Sequence, residues 1–199
     1  MTAATISFDP EKHEYRLAER AVPSVTQVIS AIAPAWQAGE WYLQRGSAVH
    51  ASITLALRDE LDWSSVDQRI KGRIDSILRF ISDVKLTTLH LETPLASGRY
   101  QFAGTFDFLG QRDGGPVVLA DWKGSLSPQA GLQLGAYSLL LAENGFPYPK
   151  EAAAVECHDD SSYKVKWLTA TELRRAEQTF LAFLTARNWL ETNNIKPQP

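Results

Sequence analysis

The sequence predicts an α/β (α+β) domain with a central mixed β-sheet, containing an antiparallel meander and flanked by helices. Two observations predict it. Three β-rich segments, "KLTTLHLETPLAS", "FAGTFDFLG" and "PVVLADWKG", follow one another with turn residues between them. Helical stretches precede this group, and a capped helix, two further strand candidates and a last helix follow it. With 44% hydrophobic and 22% charged residues among 199, the composition is that of one globular domain over residues 1–199. No internal repeat or low-complexity linker divides it.

The elements follow in order. "TISFDPEKHEYRL" reads as an N-terminal hairpin around "DPEKH". A helical lead-in starts at Pro23 and Ser24 and is stopped by Pro34. A long helix spans Gly39 to Arg58, and another Ser65 to Asp83, with Ser64 or Ser65 as cap. "SGRYQ" turns the chain between the first two strands of the meander, and "DGG" (Asp113 to Gly115) turns it between the second and third. The next helix has Ser127 as cap, Pro128 at its first position and Gly145 just past its end. "EAAAVECHD" and "YKVKWL" are strands. Thr169 caps a final helix from Ala170 to Glu191, and "NNIKPQP" is a loose tail.

Several classes are excluded or disfavoured. One cysteine, Cys157, rules out a disulfide framework and a cysteine-rich zinc site, and fits a reducing cytoplasm. The N-terminus shows no signal-peptide pattern, and no apolar run reaches the length of a membrane span. A net charge of −3 argues against a general nucleic-acid binder, so phosphate contact needs a local patch or a bound cation.

The meander holds the chemistry. A three-residue "DGG" loop sets Arg112 opposite Pro116, Asp107 opposite Asp121 and Thr105 opposite Lys123. Period-two alternation places Val117, Leu119, Asp121 and Lys123 on one face. Phe102, Phe106, Phe108, Ala120 and Trp122 fall on the other, a packed core face. Facing Cβ atoms in a sheet lie about 4.5–5.5 Å apart, so two acids there repel unless one is protonated or a cation sits between them. Mg²⁺ takes such carboxylates together with waters and phosphate. Lys123 points the same way and is suited to orienting a water or neutralising charge on a phosphate. The alternative is an exposed hairpin face whose acids pair with Lys123, and a two-residue loop would move the acids apart.

His50 shares a helical stripe with Leu43, Gly46, Ser47, Ile53 and Leu57 that is expected to face the core. It is either a hydrogen-bonded core residue or, if it meets the acids, a ligand acceptable to Mn²⁺. Gln133 and Tyr137, four apart, share one helix face. "CHDD" (Cys157 to Asp160) reads as a turn, because consecutive residues seldom converge on one ion. Trp36, Trp41 and Tyr42 form an aromatic cluster suited to stacking on single-stranded bases or to ordinary packing.

"RGSAVH", "LETPLASGRYQFAGTFD", "VVLADWKGS" and "LQLGAY", in this order, resemble the PD-(D/E)XK nuclease superfamily. More narrowly they are similar to its RecB-type branch, with the related phage and mitochondrial exonucleases. "HEYRLAERAVPSVTQVI" resembles the lead-in of phage-type members. The resemblance covers Val22 to Tyr137 and implies a restriction-endonuclease-like core.

It also implies roles. Asp107, Asp121, the Trp122 carbonyl and His50 would hold Mg²⁺ or Mn²⁺. Lys123 would position or activate the attacking water, and Gln133 and Tyr137 would support the site or touch the DNA backbone. Glu92 would be the acid many members keep in the preceding strand, or else a solvated charge. Arg45, Arg99 and Ser125 are candidate phosphate contacts. The lack of a cysteine cluster excludes the iron–sulfur version of the branch. The expected activity is that of a cytoplasmic, metal-dependent DNA exonuclease of recombination, repair or end processing, phage-like in type. It would act on single- or double-stranded DNA ends, with a recombination or single-strand-annealing partner and no membrane role. The alternatives are a structure-specific endonuclease on the same fold and a non-catalytic DNA-end-binding subunit.

Overall fold

A computed structural model describes residues 6–9, 14–33 and 39–195. A small antiparallel sheet opens the chain, in the order β1(Ile6–Asp9), β2(Glu14–Leu17) and β3(Arg20–Val22). The expected hairpin is therefore joined by a third, three-residue strand, and its turn lies outside the described residues, as do Pro34 and Trp36. Helices α1(Val25–Ile32), α2(Glu40–Ala56) and α3(Gln68–Val84) follow, then β4(Leu86–Ser97), β5(Phe102–Arg112) and β6(Val117–Lys123). Helix α4(Pro128–Glu143) leads to β7(Glu151–Cys157) and β8(Tyr163–Thr169), and α5(Ala170–Thr192) completes the order.

The main sheet runs β4-β5-β6-β7-β8, antiparallel except for the parallel pair β6–β7. Both of its faces are covered, which suits the continuous apolar runs "VVLA" and "AAAV" in the central strands. Val28, Leu134, Leu140 and Phe180 pack with Leu119 and Ala154 on the α1/α4/α5 side. Ile53, Ile74, Ile77 and Phe80 pack with Ala120, Trp122 and Val155 on the α2/α3 side. Edge strand β8 turns Lys164 and Lys166 outward, which discourages further pairing.

Local chemistry fixes the boundaries. Ser24 and Gln27 form a capping box on α1, and Thr169 and Glu172 form one on α5. Helix α3 starts later than expected because Ser64 and Ser65 both bond Asp62 in a turn, leaving Asp67 as the cap. Gly72 is required where α3 meets the β7–β8 turn: a Cβ there would stand 1.8 Å from the Asp159 carbonyl oxygen. The α2 stripe differs from expectation, since Leu43 is 62% exposed and Val49 and Ile53 take the buried side. Among the described residues, no helix is long and apolar enough to cross a membrane.

Candidate active site

The "DGG" loop turns as its length dictates. Gly114 has φ +60°, and the Arg112 N–H donates to the Pro116 carbonyl at 3.1 Å. The β5–β6 ladder then keeps the expected register through Phe108 opposite Ala120. It ends there, one residue short of Asp107 and Asp121. The Trp122 N–H donates instead to Asp107 Oδ2 at 2.7 Å. On the other side of β5, Leu91 pairs with Phe108 and Thr93 with Phe106, but Glu92 and Asp107 between them do not pair. Glu92 has φ +39°, an uncommon conformation for a non-glycine residue. Side-chain alternation slips at the same place. Phe102 and Phe106 pack toward α4 and α5, whereas Phe108 packs toward α2 and α3. The five aromatic and apolar residues expected on one face are thus divided between two. Beyond the ladder's end, the Pro23 carbonyl takes the Ala103 N–H, pinning the lead-in against β5.

Helix α2 brings His50 to this gap. Its Nδ1 lies 2.9 Å from Glu92 Oε1 and 3.6 Å from Asp107 Oδ1. One ligand atom from each of these three residues lies within 4.8 Å of the others. Asp121, only 1% exposed, forms an ion pair with Lys123, Nζ to Oδ2 at 2.6 Å. Tyr137 of α4 is buried beside the acids, with Gln133 half-buried one turn earlier.

The charges are strongly coupled. Burial raises the Asp107 carboxyl above its ordinary value, and the charge of Glu92 adds to this against the pull of His50 and Lys123. Burial and the charge of Asp107 push Asp121 up to about 6, although Lys123 opposes them. Burial disfavours the His50 imidazolium, but Asp107, Glu92 and Asp121 outweigh it and raise the group to about 9. Lys123 is raised in the same manner by Asp121 and Asp107. Burial, then the two aspartates, keep Tyr137 a neutral phenol. Three carboxylates thus face two cationic side chains. Hard oxygen donors with one imidazole, in net negative surroundings, fit a divalent cation such as Mg²⁺ or Mn²⁺.

Two cavities flank His50. One, of about 350 Å³, has Arg45, Arg73, Lys123 and Ser125 among its lining residues. Arg73 has no distinguishing sequence motif. It is aligned by bonds to the Cys157 carbonyl and the Asp159 carboxylate, both at 2.6 Å. The other cavity, of about 500 Å³, lies against Glu92 and Tyr137. Arg45 stacks on Tyr42 and Arg69 on Trp41. Arg99 sits apart from both cavities, in the β4–β5 turn, where Glu143 holds its backbone N–H. The "CHDD" side chains go to separate partners: Cys157 to Val155, His158 to Glu156 and Ser162, Asp159 to Arg73 and Asp160 to Ser162.

The family model of the PD-(D/E)XK nuclease superfamily matches residues 9–199. The chain belongs to this superfamily. The fold is shared with the "Putative exonuclease" of Eubacterium rectale, which is 11% identical with a TM-score of 0.58, over 89% of this chain and 84% of that one. The alkaline exonuclease LHK-Exo of Laribacter hongkongensis is 15% identical with a TM-score of 0.40, over 86% of this chain and 92% of its own. No curated protein matches the chain.

Proposed function

We propose that the protein is a metal-dependent DNA exonuclease that hydrolyses phosphodiester bonds in recombination, repair or end processing. The observation that carries this reading is the convergence of His50, Glu92 and Asp107 beside the Asp121–Lys123 pair. Superfamily membership supports it.

His50, Glu92 and Asp107 are the residues that would hold Mg²⁺ or Mn²⁺. Asp121 and the Trp122 carbonyl, expected ligands from the sequence, stand on the adjoining strand. Glu92 therefore carries more weight than its sequence context alone gave it. When bound, the cation supplies Lewis-acid polarisation of a phosphoryl oxygen and a more acidic water. Lys123 remains an ammonium and offers N–H donors to charge that grows on the phosphate. Asp121 holds that ammonium in place. Glu92 orients His50 through Oε1, while Asp107 Oδ2 closes the gap to β6. Tyr137, kept neutral, offers an O–H donor on the side of the acids. Arg45 and Arg73 supply the local positive surface that a chain of net charge −3 otherwise lacks.

The test is cleavage of end-labelled linear DNA with and without Mg²⁺ or Mn²⁺. Cleavage from the ends with either cation, lost in Asp107→Asn and Lys123→Ala proteins of unchanged fold, is the expected result. No cleavage of linear or single-stranded DNA with either cation would refute the proposal.

A further inference from the structure

The two cavities beside His50 differ in chemistry. The 350 Å³ cavity has Arg45, Arg73 and Lys123 in its wall and suits phosphate. Among the described residues the 500 Å³ cavity has no lysine or arginine in its wall, and its one carboxylate, that of Glu92, is paired with the His50 imidazole at 2.9 Å. Its other polar side chains are hydroxyls, including those of Ser47, Thr105 and Tyr137. One wall is aromatic and comes from the N-terminal sheet: Phe8 stacks on Tyr15 with ring centroids 4.4 Å apart and planes inclined by 26°. Tyr15 is held in place by Thr105, oxygen to oxygen at 2.9 Å, so this wall is fixed to β5 two residues from Asp107. Gly104 packs tightly in the wall, where a Cβ would come within 2.9 Å of both Tyr137 and Val25.

We infer that this cavity receives the base and sugar of a single unpaired nucleotide, while the adjoining phosphate lies toward Arg45, Arg73 and Lys123. The inference rests on the nuclease reading above and adds the substrate form, a single-stranded end. Away from the His50–Glu92 pair, an aromatic wall with hydroxyl groups suits a neutral planar ring. Stacking tolerates every base, as an enzyme that removes nucleotides in sequence requires. The volume falls in the range of one-ligand pockets, about 300–1,000 Å³.

The experiment compares two single-stranded oligonucleotides with Mg²⁺ or Mn²⁺, one intact and one with abasic residues at both ends. The wild-type protein should cleave the abasic-ended strand with kcat/KM lower by about tenfold or more, mostly through KM. Phe8→Ala should bring the intact strand down to the abasic level, so that the ratio of the two rates approaches one. Because Phe8→Ala removes a packed ring, Ser47→Phe is the second variant. It narrows the same cavity from an exposed position on α2 and should erase the same discrimination. Equal cleavage of both strands by the wild type, or discrimination that survives both variants, would overturn the pocket while leaving the nuclease reading intact. Failure to cleave either single strand while linear double-stranded DNA is still cut would also overturn the pocket, and failure to cleave any of these DNAs would overturn the nuclease reading and the pocket with it.

Discussion

Replacing Asp121 with Asn should stabilise the metal-free protein at neutral pH while abolishing cleavage. Burial and Asp107 raise this carboxyl from its ordinary 3.8 to about 6. Each factor of ten in proton affinity corresponds to about 1.4 kcal/mol, so ionising Asp121 in the folded protein costs about 3 kcal/mol more than in the unfolded chain. A raised carboxyl contributes stability that is fully present below pH 3.8 and lost as the pH rises through 6. An Asn resembles the protonated acid and does not incur that loss. Urea unfolding in EDTA between pH 4 and 8 measures the difference. The variant should exceed the wild type by about 3 kcal/mol at pH 8, or roughly 6–12 °C in Tm for a chain of this size, and match it near pH 4. Added Mg²⁺ should narrow the gap, because the ionised Asp121 of the wild type adds negative charge beside the site and Asn does not. A variant less stable than the wild type at pH 8, or a difference equal at pH 4 and pH 8, would show that the buried acids are not in electrostatic conflict.

The same electrostatics bear on His50, which must lose a proton before it can ligate. Mg²⁺ or Mn²⁺ affinity, followed by calorimetry, should therefore rise with pH toward about 9 and level off above it, with proton release on binding below that point. Glu92→Gln removes an anion 2.9 Å from the imidazole, so the His50 pKa should fall toward 6.5 in an NMR titration of the metal-free protein. Lys123→Ala should lower kcat by roughly 10²–10³, with little change in cation affinity measured by calorimetry. Gly72→Ala should cost roughly 1–3 kcal/mol in denaturant unfolding, because its methyl group meets the backbone of Asp159. It should also weaken DNA binding by displacing the partner that aligns Arg73.

Much of the site was legible because one turn controls it. "DGG" fixes the β5–β6 register, and period-two counting from there carries Asp107 to the level of Asp121. His50 was legible as a candidate, but its surroundings were not. Trp41, Tyr42 and Leu43 are exposed on α2, so apolar periodicity there marks no core stripe. The slip of alternation at Asp107 and the positive φ of Glu92 arise where two ladders stop together, and neither strand alone announces this. Arg73 and Tyr15 reach the site through tertiary packing between elements distant in the chain, which no local pattern encodes. Strand β3 was missed because three residues are too few to show a period.

The bond from Trp122 N–H to Asp107 Oδ2 has a consequence for descent. That carboxylate oxygen replaces the main-chain acceptor that the ended ladder no longer supplies, so it serves the fold whether or not the chain cuts anything. A lineage released from selection for activity would still be held to Asp, or to Asn, at position 107. Asp121 and Lys123, whose ion pair relieves a burden that Asp121 itself creates, would be free to drift together. Among relatives, retention of the acid at 107 is therefore weak testimony to a working enzyme, and the pair at 121 and 123 is the more informative record.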